Sequence, residues 1–361
     1  MNPAIPTSLE KELQLASEEG SVQLLSNGLI NHTWIGRSAH FSFPIVLQQI
    51  NNQVFKNPQA LVNNHQQIHQ IWQQQQSLYP FKIAAPLPFS NNSLLFYDQK
   101  GYPWRIQEYI AETISITKPA AANQLYEAAR SFGEFARMTQ LIPPHSIQTT
   151  IENFHNLRYR FEQFQTAKNK GNADRIKEAF QLIKNLENRF HYINRFDAIT
   201  NSPVQFPTRI RHHDAKIANL LFDNSTNKVI AIVDLDTTMP GFFFSDLGDM
   251  IRSMAGKTDE NHTQLDQIVI DEDYYDALVT GYQSTLAAYS TPEENKWIHW
   301  SGIWIIYMQC LRFITDYFLN DQYYRIEYPL HNLDRAWNQY QLLVALEQHL
   351  KRKFDFEPGC F

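Results

Sequence analysis

The chain has 361 residues, long enough for one large domain or two lobes with a substantial core. Its hydrophobic share of 43% and charged share of 19% are those of an ordinary globular protein, and a net charge of −6 excludes the basic footprint of a dedicated nucleic-acid binder. Two cysteines, Cys310 and Cys360, are too few for a disulfide framework or a cysteine zinc site, which points to a reducing compartment. The first twenty residues lack a basic n-region and an apolar h-region. The most apolar run, Gly302–Leu311, falls short of the roughly 20 residues that span a bilayer. A cytoplasmic protein is expected, with neither nucleic acid nor membrane as partner; composition does not bear on its oligomeric state.

Residues 8–19 read as a leading helix with a serine cap. Strand-like runs follow at Val22–Leu25 and 29–36, joined by the Ser26-Asn27-Gly28 turn, and then at 44–50. Such a hairpin can cover a phosphate, with Gly28 allowing close backbone approach and Asn31 and Thr33 offering donors; a plain hairpin fits the same residues. From Asn57-Pro58 to Gln76 the apolar residues Leu61, Ile68 and Trp72 recur at helical spacing. Leu94–Tyr97 and Trp104–Tyr109 read as strands around the loop 98–103. Beyond Ile110 the pattern is helical, at 120–140, 151–165, 173–196, 273–289, 293–320 and 333–352. The expected fold is therefore α+β and bilobal: a small β-rich N-terminal lobe, 1–110, and a large helical C-terminal lobe, 111–361, with a ligand in the crevice of such a plan.

The chemistry concentrates in 209–254. His212-x-Asp214 is followed by Asn219 five residues after the aspartate, and the apolar run Val229–Val233 delivers Asp234 and Asp236. Phosphoryl transfer needs a carboxylate near the acceptor hydroxyl and hard oxygens for magnesium, and the kinase template places an aspartate, an asparagine five positions on, and then a metal-binding aspartate. Asp214, Asn219 and Asp234 reproduce that order. Each taken singly reads as a solvated turn or a helix cap, as Asp223-Asn224 does, and Asp246 with Asp249 fits the start of a helix. His212 and His213, adjacent in a strand, point opposite ways and do not suit one zinc ion.

The run His212-His213-Asp214-Ala215-Lys216-Ile217-Ala218-Asn219 followed by Ile232-Val233-Asp234-Leu235-Asp236 resembles the aminoglycoside phosphotransferase/choline kinase superfamily, with its protein-kinase-like fold. Blocks at 28–33, 46–51, 150–155, 245–252, 312–317, 323–324 and 331–335 resemble its N-acetylhexosamine 1-kinase branch. The resemblance implies an ATP- and magnesium-dependent sugar kinase of carbohydrate metabolism. It makes Asp214 the base, His212 the holder of the catalytic loop and Asp246 its brace, with Asn219, Asp234 and Asp236 at the metal. Gly28, Asn31 and Thr33 would cover the phosphates, Glu108, Tyr109 and Ile110 would meet the adenine, and Arg312, Asp316, Tyr317 and Tyr323 the sugar. A kinase of another small alcohol or an aminoglycoside, or a nucleotide-binding pseudokinase, remain alternatives. One departure stands out: the third strand of this fold usually carries a lysine for the nucleotide phosphates, and here it offers Gln48 and Gln49. Either another cation, such as Lys56 or Lys216, approaches the phosphates, or neutralisation relies on magnesium and backbone donors.

Overall fold

The computed structural model describes residues 4–16, 21–27, 30–226 and 228–358, which form two compact units. The first gathers Met1–Ser115, Met138–Glu152 and Asn219–Pro240; the second gathers Ile116–Arg137, Asn153–Ala218 and Gly241–Phe361.

The first unit is built on an antiparallel sheet. Its strands β1 (Val22–Asn27), β2 (His32–Gly36) and β3 (Ile45–Gln49) continue into the strand Pro103–Glu108, which also pairs with Pro86–Leu87 and Phe96–Tyr97. Alternation of apolar and polar residues turns Trp34, Ile45, Leu47, Trp104 and Ile106 into one core, closed by Leu9 and Leu13 of helix α1, Thr7–Leu13. That helix is shorter than expected and its cap differs: Pro6 takes the N-cap, and Ser8 lies inside. It ends at Gln14 in the left-handed region (φ 46°), which frees Leu15 to pair with Ser38.

Helix α2, Pro58–Gln75, is capped by Asn57, whose side chain accepts from the Ala60 N–H at 3.3 Å. Its buried face combines Ala60, Leu61, Val62 and Ile68 with two polar side chains. Asn64 bonds the Gln148 backbone through both its amide groups, and His65 Nε2–H donates to the Ala84 carbonyl at 2.8 Å. A second sheet runs Lys82–Ile83, Val229–Ile232, Leu220–Asp223, Thr113–Ser115, in which 229–232 and 82–83 are parallel. The 220–232 hairpin turns where Asp223 accepts from the backbone N–H groups of Ser225 and Thr226.

The second unit packs helices around Trp300–Phe318, which is buried along nearly its whole length. It lies against His331–Phe354, Phe244–Met254 and Leu157–Lys170. Gly248 lets Phe244–Met254 seat closely on it: a Cβ there would sit 2.3 Å from the Ser301 carbonyl oxygen and 2.5 Å from Ile305. Three expected helices are interrupted. The 151–165 helix starts at Leu157, because Asn153 is left-handed (φ 55°) and Asn156 caps the following turn. The 173–196 run is three short helices, 173–178, 180–187 and 191–200. The 293–320 run divides into Pro292–Lys296, held by a Thr291–Glu294 capping box, and Trp300–Phe318. No described helix is long and apolar enough to cross a membrane.

Burial lowers the His65 imidazole to about 4, with the Arg105 charge adding to the shift, so the folded chain holds it neutral. Above the unfolded value near 6.5 both states are neutral and the full stability is present; below it the unfolded chain binds the proton first. Stability is therefore expected to fall as pH drops from about 6.5 towards 4, with up to ~3 kcal/mol from this group. Urea unfolding at pH 7 and pH 5 checks it: His65→Gln should have the shallower loss, and equal losses in both proteins would contradict the assignment.

Candidate active site

In the second unit the Arg209–Arg211 strand leads into a sharply turned segment. His213 has φ 65°, a conformation uncommon for any residue but glycine. Two bonds hold it there: Asp246 Oδ2 accepts the His212 N–H at 3.2 Å and Oδ1 accepts the His213 N–H at 2.8 Å. Asp246 is fully buried in the first turn of Phe244–Met254, where the helix dipole favours a carboxylate. The His212 ring is also fully buried and meets Phe132 and Phe135 edge-on at 5.3 and 5.6 Å. The His213 ring turns the other way, towards Ser245 Oγ at 2.6 Å, which also contacts His155. It passes so close to Gly241 that a Cβ there would lie 2.2 Å from the ring.

The effect is to present Asp214 on a rigid turn. Its side chain is one-quarter exposed (25%) and pairs with Lys216 Nζ at 2.8 Å. Beside it, Asp249 is buried against Arg252 at 2.9 Å, and Arg252 reaches Glu260 at 3.1 Å. Burial raises the Asp249 carboxyl above its usual range; Arg252 opposes the shift, and the Asp214 charge adds to it.

Farther along the same unit, Arg312 lies about 5.5 Å from the Phe154, Tyr323 and Tyr324 rings and donates to Gln309 at 3.0 Å. Phe154 stacks on His155, whose imidazole burial holds well below its ordinary value and so neutral. Arg160 is near enough to Arg312 that burial and this second charge bring it down to about 10. Of the residues expected at an acceptor, Arg312 and Tyr323 belong to this cluster. Asp316 is buried and accepts from the Tyr323 and Tyr324 N–H groups and the Asn332 amide, at 2.8–3.0 Å. Tyr317 is buried elsewhere on the helix, donating its hydroxyl to Glu178 at 2.5 Å beneath Arg175.

The first unit holds Asn219, Asp234 and Asp236. Val233 N–H donates to the Asn219 carbonyl at 3.0 Å, so Asn219 and Asp234 stand on adjacent strand ends. Asp234 is exposed and left-handed (φ 60°), and it lines a small cleft with Gln48, His65 and Arg105. Two hard oxygens in this position suit a magnesium ion. Asp236 is turned inward: Arg105 Nη1 lies 2.5 Å from Oδ1, and Asn31 Nδ2 donates to Oδ2 at 2.7 Å. Of the donors expected on phosphates, Asn31 Nδ2 donates to Asp236, while Thr33 Oγ1 accepts from Gln48 Nε2 at 3.0 Å, a bond that does not use its own O–H. Gly28 falls outside the described residues. Of the three expected adenine-side residues, the Glu108 and Tyr109 N–H groups already donate to Ala85 and Pro44, and only the Ile110 N–H is without a hydrogen bond among the described residues. Arg105 was not anticipated; its signal in the sequence is a lone charge flanked by Trp104 and Ile106 in a buried strand.

A family described as the phosphotransferase enzyme family has a model that matches residues 21–289. Among solved structures, the chain is similar to an aminoglycoside phosphotransferase from Alicyclobacillus acidocaldarius, at 12% identity and TM-score 0.61, covering 98% of both chains. It is similar to a microcompartment-associated aminopropanol kinase at 14% identity and TM-score 0.62, again covering 98% of both. An amicoumacin kinase solved in complex with AMP-PNP, Ca2+ and Ami matches at 12% identity and TM-score 0.57, covering 96% of this chain and 93% of that one. At such identities these likenesses carry the fold, and they agree with the α+β, kinase-like architecture expected from the 209–254 motif.

Asp246→Ala removes the acceptor of two buried N–H groups and is expected to destabilise the protein by about 1–3 kcal/mol in urea unfolding. A change below about 0.5 kcal/mol would show that the turn at His213 is held by something else.

Proposed function

We propose, from the premise that this chain belongs to the phosphotransferase enzyme family, that it transfers the γ-phosphate of ATP to the anomeric hydroxyl of an N-acetylhexosamine. The observation that carries the phosphotransfer is the presentation of Asp214 at the edge of a turn pinned by Asp246. Asp214 accepts the proton of the acceptor hydroxyl and orients its oxygen in line with the phosphorus. Lys216 screens the carboxylate from the charge of the phosphates. Asn219 and Asp234 would hold a magnesium ion, which would supply positive charge to neutralise those phosphates. Asp236 contributes through its neighbours. The Ile110 N–H is the adenine donor. Support for nucleotide and divalent ion comes from the amicoumacin kinase, which was solved with AMP-PNP and Ca2+.

For the sugar, Arg312 provides several hydrogen-bond donors and Tyr323 a face for the ring, with Asp316 tying the Tyr323–Tyr324 backbone in place. Tyr317 supports the helix from behind. The second reading, a kinase of another small alcohol or an aminoglycoside, draws on the names of the similar structures. The Arg160–Arg312 pair weighs against it for polycationic acceptors: the Arg312 charge already helps to lower Arg160, and two neighbouring guanidiniums repel a third cation.

ADP release over GlcNAc, GalNAc, simple hexoses, aminopropanol and aminoglycosides tests the reading. Turnover is expected on an N-acetylhexosamine, and turnover confined to another acceptor would overturn the substrate assignment. Asp214→Ala should lose at least ~1000-fold in kcat while binding ATP as the wild type does, since general-base and positioning contributions are both removed. A near-normal kcat would remove Asp214 from the role of base.

A further inference from the structure

The strand-3 lysine is missing, and so is its usual partner. In protein kinases that lysine pairs with a glutamate on the helix following strand 3. Here α2 carries no aspartate, glutamate, lysine or arginine along Pro58–Gln75, so neither half of the pair stands at its usual place. The two cations the sequence offered do not fill the gap: Lys56 is exposed, and Lys216 pairs with Asp214.

The neighbouring strand does. Gln48 of β3 is the register partner of both Thr33 and Arg105, so the three side chains form a row across the sheet. Arg105 Nε donates to Gln48 Oε1 at 2.9 Å, Gln48 donates on to Thr33, and Arg105 Nη1 meets Asp236 at 2.5 Å. Asn31 closes the network from the other side, donating to Asp236 and accepting the Asn51 N–H at 2.9 Å. Arg105 is the one buried cation among the described residues of its unit, 4% exposed. A residue so placed is expensive to bury unless its charge is used.

Building on the kinase reading above, we infer that Arg105 is the cation that receives the nucleotide phosphates, and that the Arg105–Asp236 pair stands in for the lysine–glutamate pair of kinases. The guanidinium has five N–H donors in a fixed fork. Gln48 and Asp236 occupy Nε and Nη1, and Nη2 makes no bond to another described residue. The side chain lines the same cleft as Asp234, the proposed magnesium ligand. Planar bidentate donors match phosphate oxygens. The glutamine on β3 is thus a positioning residue: it aims the arginine from the place the lysine would have occupied. Neutral His65, beside it on α2, adds no competing charge.

Binding of Mg-ATP and of adenosine to wild type and Arg105→Met, with thermal melting of each, tests the inference. A charge-assisted phosphate contact predicts a roughly 10- to 100-fold weaker Kd for ATP with adenosine within about twofold of wild type. A merely structural role would weaken both alike. Should Arg105→Met fail to fold with Asp236 left unpaired, Arg105→Met/Asp236→Asn removes both charges and is read the same way. Adding Gln48→Lys to the Arg105→Met protein should recover at least about tenfold of the lost ATP affinity by returning a cation to strand 3. Unchanged ATP binding, equal loss of ATP and adenosine, or no recovery in a folded Gln48→Lys/Arg105→Met protein would overturn the inference. If the wild type phosphorylates nothing yet binds ATP through Arg105, the functional reading alone fails. If it is an active kinase whose Arg105→Met form binds ATP normally, this inference alone fails.

Discussion

One carboxylate holds the proposed base in place. Asp246 accepts two consecutive backbone N–H groups, from His212 and His213, and so stabilises a left-handed histidine that the chain would not adopt unaided. Everything around it serves that arrangement. The first turn of the Phe244–Met254 helix supplies a favourable field, Gly248 lets that helix seat closely on Trp300–Phe318, and the two histidine rings anchor in opposite directions, one against phenylalanines and one at Ser245. Asp214 then needs few contacts of its own, because the backbone before it is already fixed.

The first unit has a comparable pair of acids, fixed by side-chain rather than backbone donors. Asp234 also occupies a left-handed conformation, and the carboxylate two residues on is locked by Arg105 and Asn31. In one place a buried acid holds the turn before Asp214 through two backbone N–H groups; in the other Asp234 is itself left-handed, two residues before a buried acid fixed by side chains. Strain of this kind, of order 1–3 kcal/mol per residue, persists only where surrounding bonds over-determine it. The two aspartates of Asp234-Leu-Asp236 therefore have different work, one facing the cleft and one facing the sheet.

Much of this was legible in the residues. The order His212, Asp214, Asn219, Asp234 signalled phosphotransfer because the chemistry demands a carboxylate and hard oxygens, and the strand and helix runs followed from periods of 2 and 3.6. What escaped was set by tertiary partners. The row of Thr33, Gln48 and Arg105 depends on strand register across β2, β3 and Pro103–Glu108, which no local pattern displays, and Arg105 and Asn31 then meet Asp236. Arg105 was hidden for the same reason: its partners are 57 and 131 residues away in the chain. Asp316 and Tyr317 looked like sugar contacts because they follow Arg312 on one helix, but a helix turns 100° per residue and carries them to other neighbours. The interruptions of the helices at 151–165 and 173–196 arise from a left-handed Asn153 and from short packing segments rather than from proline or glycine signals.

The acceptor assignment is the point on which the account turns, since family and fold fix the reaction class while the Arg312 cluster alone argues for a sugar. Phosphorus-31 NMR of the product formed from Mg-ATP and an N-acetylhexosamine tests it most directly. The account predicts a single new phosphate resonance coupled to the anomeric proton, absent with Asp214→Ala. A phosphate on any other hydroxyl, or ATP consumed with the sugar unmodified, would contradict it.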